Sequence, residues 1–365
     1  MQPKTLAEYF SEIDDPRRTG FAHRHDLVEI LVITTCALFS EVEGFEDVAR
    51  WAQVKEAWLR RFLTLRNGIP SADTFARVFR LLDPKSFESA FRAWVGSTLS
   101  TFSQVAIDGK TMRGSVDGAR APIHMVSAFA TELGLTLGQE AVFEKSNEIT
   151  AIPVLLEALA IKGCLVSIDA MGCQKDIAQT IRNRGADYLL AVKNNQPSLR
   201  SAIADAFADV PVEGFEHTEQ THGRTVLQHV QVIANTDQID PRVWIDCKCI
   251  GRVVSLRVDG KKRQKLETRY YISSAQLDHQ ALFNSVRQHW GIENRLHWSL
   301  DVIFREDASK IRKDHGPRNI GLIRKIILNV LRKDAAHPKH SLRGRRKMAG
   351  WDDDERMRLL GITPL

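Results

Sequence analysis

Four stretches of the first hundred residues repeat apolar side chains at three- and four-residue steps: LVEILVITTCALF (27–39), EDVARWAQVKEAWLRRFL (46–63), SADTFARVFRLL (71–82) and SFESAFRAWV (86–95). That period predicts helices, each burying one stripe. Ser71, after Gly68-Ile69-Pro70, is placed to cap the third, and Asp83-Pro84 to end it. At Phe102 the period drops to two. Residues 105–113, 122–130 and 135–143 read as three successive strands of an antiparallel meander. ITAIPVLLEALA (149–160) is then a helix, CLVSIDA (164–170) a strand, KDIAQTIRNRG (175–185) a helix ended by Gly185, and YLLAVK (188–193) a strand. Apolar strands alternating with helices imply a sheet covered on both faces, so the predicted fold class is α/β with an α/β/α core.

After Lys193 the pattern turns polar, gives one helix (SLRSAIADAFADV, 198–210), and continues in the strand-like runs HVQVIA, VWIDCKCIG, VVSLRV and RYYISS. Helical periodicity returns at 279. The predicted organisation is a helical N-terminal domain (1–100), a core built from 101–193 plus 279–335, a strand-rich insertion (194–278) and a basic C-terminal tail (336–365). The helix pair within 46–82 is a candidate DNA-binding element, with Arg77 and Arg80 as its contacts.

At 365 residues and 43% hydrophobic content the chain can build sizeable cores. The apolar run from Leu27 to Phe39 is too short to span a bilayer and carries Glu29, so no membrane role is expected. Nothing at the start has the order of a secretion signal, and five scattered cysteines suit a reducing, cytoplasmic setting. The net charge of +6 is unevenly spread: from Lys310 to Lys347 there are thirteen Lys or Arg against Asp314 and Asp334. Such a tract, beginning with Lys310, Arg312 and Lys313, predicts a surface for a phosphate backbone.

Residues 286–313, VRQHWGIENRLHWSLDVIFREDASKIRK, read as one helix whose His289, Glu293, His297 and Asp301 form a polar stripe at four-residue steps. Two apolar strands end in an aspartate, VAID at Asp108 and VSID at Asp169. A carboxylate at the carboxyl end of a sheet strand is costly without a cation or partner. Asp108, Asp169 and Glu293 therefore supply three acids from three elements, a set suited to two Mg²⁺ ions acting on a phosphodiester. Lys110 and Arg113 beside Asp108, and Lys193 and Asn194 after the last core strand, are donors for phosphate. Glu306 and Asp307 are rival acids. A nucleotide-binding P-loop is excluded because Gln104 stands where its first glycine would be, and zinc is disfavoured because H-E-x-x-H is absent.

The motifs VAIDGKTMRGS, SIDAMGCQKDIAQTI, YLLAVKNNQPSL, RQHWGIENRLHWSLDVIFREDASKIRK and NIGLIRKIILNVLRK resemble the H-repeat-associated DDE transposases of bacterial insertion sequences. The resemblance implies a ribonuclease H-like core with a mixed sheet, and Asp108, Asp169 and Glu293 as the acidic triad holding two Mg²⁺ ions, with Mn²⁺ as a substitute. It further implies double-stranded DNA, as element inverted repeats and as target, for partner, a homodimer on that DNA, and a bacterial cytoplasmic protein at the nucleoid when bound. The implied activity is hydrolysis at the element ends followed by strand transfer. The alternatives are a metal-dependent nuclease without strand transfer and an inactive, transposase-derived DNA-binding protein. Related transposases carry Tyr, Arg and Lys at minus seven, minus four and plus seven from the glutamate, where this chain has Val286, His289 and Leu300. Arg287, His289 and Arg295 are then the candidate DNA contacts of that helix.

Overall fold

The computed structural model describes residues 4–18, 23–118, 121–142, 148–208, 213–221, 224–234, 239–259 and 264–364. The helical periodicity of the first hundred residues becomes α1 (Leu6–Phe10), α2 (Leu27–Leu38), α3 (Phe45–Val54), α4 (Glu56–Leu59), α5 (Ala72–Leu81) and α6 (Pro84–Thr98). Caps fix where they start. Ser71 Oγ accepts the Thr74 amide at 3.3 Å, and Asp83 accepts that of Ser86 at 3.0 Å, with Pro84 in the first turn of α6.

The meander is β1 (Gln104–Thr111), β2 (His124–Ala130) and β3 (Leu135–Val142), followed by α7 (Glu148–Glu157), β4 (Leu165–Ile168), α8 (Lys175–Asn183) and β5 (Asp187–Val192). Phe143, the expected last residue of the third strand, lies outside the described residues, as do Asp209 and Val210 at the end of the next expected helix. β1 pairs antiparallel with β2 and parallel with β4, which pairs parallel with β5. The resulting order, β3-β2-β1-β4-β5, is a ribonuclease H-like mixed sheet.

Past β5 come α9 (Pro197–Ala206), β6 (Phe215–Thr221), β7 (Arg224–Ala234), β8 (Cys249–Asp259) and β9 (Gln264–Ser273). The sequence suggests a distinct inserted element, whereas these strands extend the same sheet: β9 pairs with β5, and the order runs on through β8 and β7 to β6, nine strands in all. The run VWIDCKCIG becomes strand only from Cys249. Its earlier apolar residues serve a packed loop in which Trp244 is buried and the Ile245 carbonyl accepts the Tyr188 hydroxyl at 2.8 Å. FEHTEQT, too polar to predict a strand, forms the sheet edge, where charge discourages pairing with another chain.

α10 (His279–His289) crosses one face of the sheet, where Leu282, Phe283 and Val286 pack on Leu189, Val253 and Tyr271. On the other face Ile177 and Ile181 of α8 join Val166, Ile168 and Leu190 in an apolar cluster that continues into the N-terminal helices. The stretch 286–313, expected as one helix, is instead the end of α10, a π-helical turn (Ile292–His297), α11 (Trp298–Val302) and a 3₁₀ turn (Glu306–Ala308). Arg305, at φ 51°, takes the left-handed conformation between the last two and turns the chain back toward β1.

α12 (Gly316–Lys333) lies between the N-terminal helices and the sheet, with Arg324, Lys325 and Asn329 all buried. The segment expected as a basic tail folds into α13 (Leu342–Trp351) and α14 (Asp353–Leu360). Arg356 is fully buried, its guanidinium 5.1 Å from the Trp51 ring and 5.0 Å from that of Trp58, while Arg346 donates to the Leu38 carbonyl at 2.7 Å. Among the described residues no helix is long and apolar enough to cross a membrane, and all five cysteines are free.

Candidate functional site

The last pair of the parallel β1–β4 ladder is Ile107 with Ile168, so Asp108 and Asp169 follow side by side at the carboxyl ends of two adjacent strands. Side chains alternate along a strand, which puts Gln104, Asp108 and Lys110 on one face, and Ser167, paired with Ala106, on that same face. Asp169 also caps the next turn, accepting the Met171 amide at 3.0 Å. Asp108 is largely enclosed. Its carboxyl is pushed up to about 7, first by burial and then by Asp169, with Glu293 and Glu148 adding to the repulsion against one favourable backbone contact from Gly109.

Glu293 stands on the π-helical turn, near enough to Asp108 to repel its carboxylate. Its carboxylate is exposed and has no hydrogen-bond or ion-pair partner within the described residues. The histidines four residues to either side dock on the strands: His289 Nδ1 lies 3.1 Å from Ser167 Oγ, and His297 Nδ1 3.5 Å from Asp108 Oδ2. Burial drives the His289 imidazole down to about 4 and that of His297 to about 3, the latter helped by Lys325 and Lys110. Both are neutral at pH 7. The approach of His297 to Asp108 is therefore no salt bridge, and the acids keep their repulsion.

A fourth carboxylate was not singled out by the sequence. Glu148, at the start of α7, contacts His124 Nε2, and His124 Nδ1 lies 2.9 Å from Thr111 Oγ1. The pair covers Gly109, where a Cβ would collide with both side chains. The signal available beforehand was Gly109 itself, a small residue directly after a strand-end acid.

Lys110 and the rival acids form a separate, compensated cluster. Lys110 Nζ lies 2.8 Å from Asp301, 3.2 Å from Glu306 and 3.1 Å from Asp307. Glu306 is buried, and although burial opposes it, Arg324, Lys110 and Lys325 together hold its carboxyl below the ordinary range. Lys110, expected as a phosphate donor, is paired here with three carboxylates.

The chain matches the family model "Transposase DDE domain" over residues 100–330, and a model described as "DDE_Tnp_1-associated" over residues 7–95. It is 39% identical to the "H repeat-associated putative transposase YhhI" of Escherichia coli (strain K12), covering 96% of both chains. To the "Putative transposase YncI" of Escherichia coli O157:H7 it is 38% identical over 95% of this chain and 92% of that one. The chain belongs to the DDE transposase family. A solved piggyBac transposase synaptic complex with hairpin DNA matches 97% of this chain and 78% of that one at 12% identity and a TM-score of 0.47.

DDE transposases act on DNA, and membership implies divalent-metal dependence. Among the described residues no three His, Cys, Asp or Glu side chains form a ready-made metal cage. The chemistry of the donor set nevertheless fits a hard cation: the groups that repel one another are carboxylates, and among the described residues none of the causes acting on Asp108 is a cationic side chain.

The other expected DNA contacts of this DDE transposase fall into two groups. Lys193 and Asn194 are exposed beside Asp169, lining an open groove of about 600 Å³ with Arg200, Arg269 and Tyr270. Arg113 is also exposed, 3.7 Å from Asp307, and Lys310, Arg312 and Lys313 line a surface groove opposite Glu43 and Glu46. Others are occupied. Arg287 pairs with Glu219 at 2.7 Å, Arg295 donates to the Thr131 carbonyl at 2.6 Å, and His289 packs on Ser167. The basic tract likewise divides, since beyond Lys313 Arg318 pairs with Glu88 and Glu140, and Lys325 donates to Gln139 at 2.5 Å. Arg324, Lys325 and Arg346 of the tract are buried and cannot belong to the surface for a phosphate backbone that the charge count suggests, whereas Lys333, Lys339 and Arg343 stay exposed.

Proposed function

We propose that Asp108, Asp169 and Glu293 are the acidic triad of a DNA transposase, holding two Mg²⁺ ions, or Mn²⁺ in their place. The observation that carries this reading is the strand register that sets Asp108 beside Asp169, with the repulsion from Asp169 and Glu293 that, after burial, lifts the Asp108 carboxyl to about 7. Bound cations would supply a lowered pKa for water and charge stabilisation at both oxygens of an in-line displacement. Asp108 and Asp169 are set side by side by the sheet register, whereas Glu293 is the exposed member and comes from the π-helical turn.

The groove of Lys193, Asn194 and Arg200 receives the DNA backbone next to Asp169. In the first step a water oxygen bonds to phosphorus as the bond to the 3′-oxygen breaks, leaving a 3′-hydroxyl and a 5′-phosphate. In the second, that hydroxyl attacks a target phosphodiester and displaces the target's 3′-oxygen. Handling two element ends calls for a homodimer on double-stranded DNA, in the bacterial cytoplasm at the nucleoid. The test is purified protein with Mg²⁺ and DNA carrying the element's inverted repeats: nicking and joining are expected in wild type and absent in Asp169→Asn. Nicking without joining would leave a nuclease, and salt-sensitive binding without any cleavage an inactive DNA-binding protein.

A further inference from the structure

We propose that the four-residue stripe from Ser285 to Asp301 is a positioning seam in which Ser167, His289 and His297 hold Glu293 over Asp108 and Asp169. It rests on the reading of Glu293 as the third acid. The ties come in order along the helix. Gln104 Nε2 donates to the Ser285 carbonyl at 2.9 Å and to Ser167 Oγ at 3.0 Å. Ser167 Oγ meets His289 Nδ1 at 3.1 Å, His297 Nδ1 approaches Asp108 at 3.5 Å, and Lys110 Nζ reaches Asp301 at 2.8 Å. Positions 285, 289 and 301 are thus bonded to β1 or β4, and His297 lies in contact with β1. The fifth member of that spacing, Glu293, has no such tie and lies in the middle.

Helix geometry explains why this needs a π-helical turn. Four residues of an α-helix rotate about 40° past a full turn, so four such steps would wind the stripe about 160° away from the sheet. The turn at Ile292–His297 is wider, closing i→i+5 bonds, so four residues there rotate less and the stripe falls back over the strands. The sheet supplies a matching row, because Gln104, Asp108, Lys110 and Ser167 share one face. Ser167 and Gln104 are both buried, so their hydrogen bonds are made away from competing water.

The test compares His289→Leu and His297→Leu with His289→Asn and His297→Asn, whose amide keeps a polar atom near the Nδ1 position. The leucine variants are expected to lose about 10- to 100-fold in kcat, with KM for DNA unchanged, because a small misplacement of a reacting group is costly. Their Mn²⁺ affinity, measured by isothermal titration without DNA, should fall as well, and asparagine should restore most of both. Ser167→Ala, which deletes one oxygen, carries the same test where a histidine replacement unfolds the chain. Wild-type kcat and Mn²⁺ affinity in these variants would overturn the seam, as would a loss that follows the melting temperature and is not rescued by asparagine. Cleavage that survives in Glu293→Gln would instead overturn the underlying assignment of the third acid, and the seam with it.

Discussion

Asp108 and Glu306 are two enclosed carboxylates reached from the same strand, and their surroundings push them in opposite directions. Around Glu306 stand Lys110, Arg324 and Lys325, which hold its carboxyl down despite complete burial. Around Asp108 stand Asp169, Glu293 and Glu148, which add to burial and push its carboxyl up to about 7. The distance between the two environments is one step along β1, from Asp108 to Lys110. A structural charge cluster is recognisable because it closes on itself electrically, and a site awaiting a cation because it does not.

The largest effect should separate the two clusters by function. On the proposed mechanism Asp108→Asn and Glu293→Gln lose about 10³-fold or more in cleavage rate, roughly 4 kcal/mol of barrier. Their cation-free melting temperature should equal or exceed that of wild type, since repulsion is relieved. Glu306→Gln should do the reverse: it leaves Lys110 and Arg324 buried against a neutral amide, at a cost of about 3 kcal/mol in stability. Urea unfolding of the two variants side by side reads this directly, and a destabilised Asp108→Asn with an unaffected Glu306→Gln would invert the comparison.

A smaller effect follows from the sign of each shift. The folded-state pKa of Asp108 lies above its unfolded value near 3.8, so its contribution to stability is complete below about pH 4 and lost as pH rises through about 7. Glu306 has the opposite sign: its contribution is present above the ordinary glutamate value of 4.5 and lost as pH falls through its lowered one. In chelator, the stability of wild type minus that of Asp108→Asn should therefore decline between about pH 4 and pH 7 and level off above it. Adding Mg²⁺ should flatten that slope, and a difference that grows with pH would sink this account of Asp108.

The strands ending in Asp108 and Asp169 were legible because period-two apolar runs and strand-end acids are local features. The break of the 286–313 helix was not, since the left-handed Arg305 and the π-helical turn answer to contacts with β1 rather than to neighbours in sequence. Glu148 precedes the predicted helix at 149–160, and its contact with His124 joins residues 24 positions apart. The C-terminal residues read as a tail because Arg356 finds Trp51 and Trp58 some three hundred positions earlier, and α12 read as a surface because Arg318 and Lys325 find Glu88 and Gln139 on other elements. Charge counts along a chain report composition, and burial of those charges depends on partners remote in sequence.

That division of the basic residues can be measured as a salt dependence. Each lysine that contacts a phosphate contributes about 0.9 to the slope of log affinity against log salt, through the counter-ions it releases. Lys193 is exposed beside Asp169, with no ion-pair partner among the described residues, so Lys193→Ala should reduce the slope by about that amount. Lys110 is already neutralised by Asp301, Glu306 and Asp307, so Lys110→Met should leave the slope unchanged while lowering stability. Binding titrations of both variants on the same DNA at several salt concentrations decide it. A slope that falls for Lys110→Met and not for Lys193→Ala would place the DNA on the compensated cluster and away from the open groove.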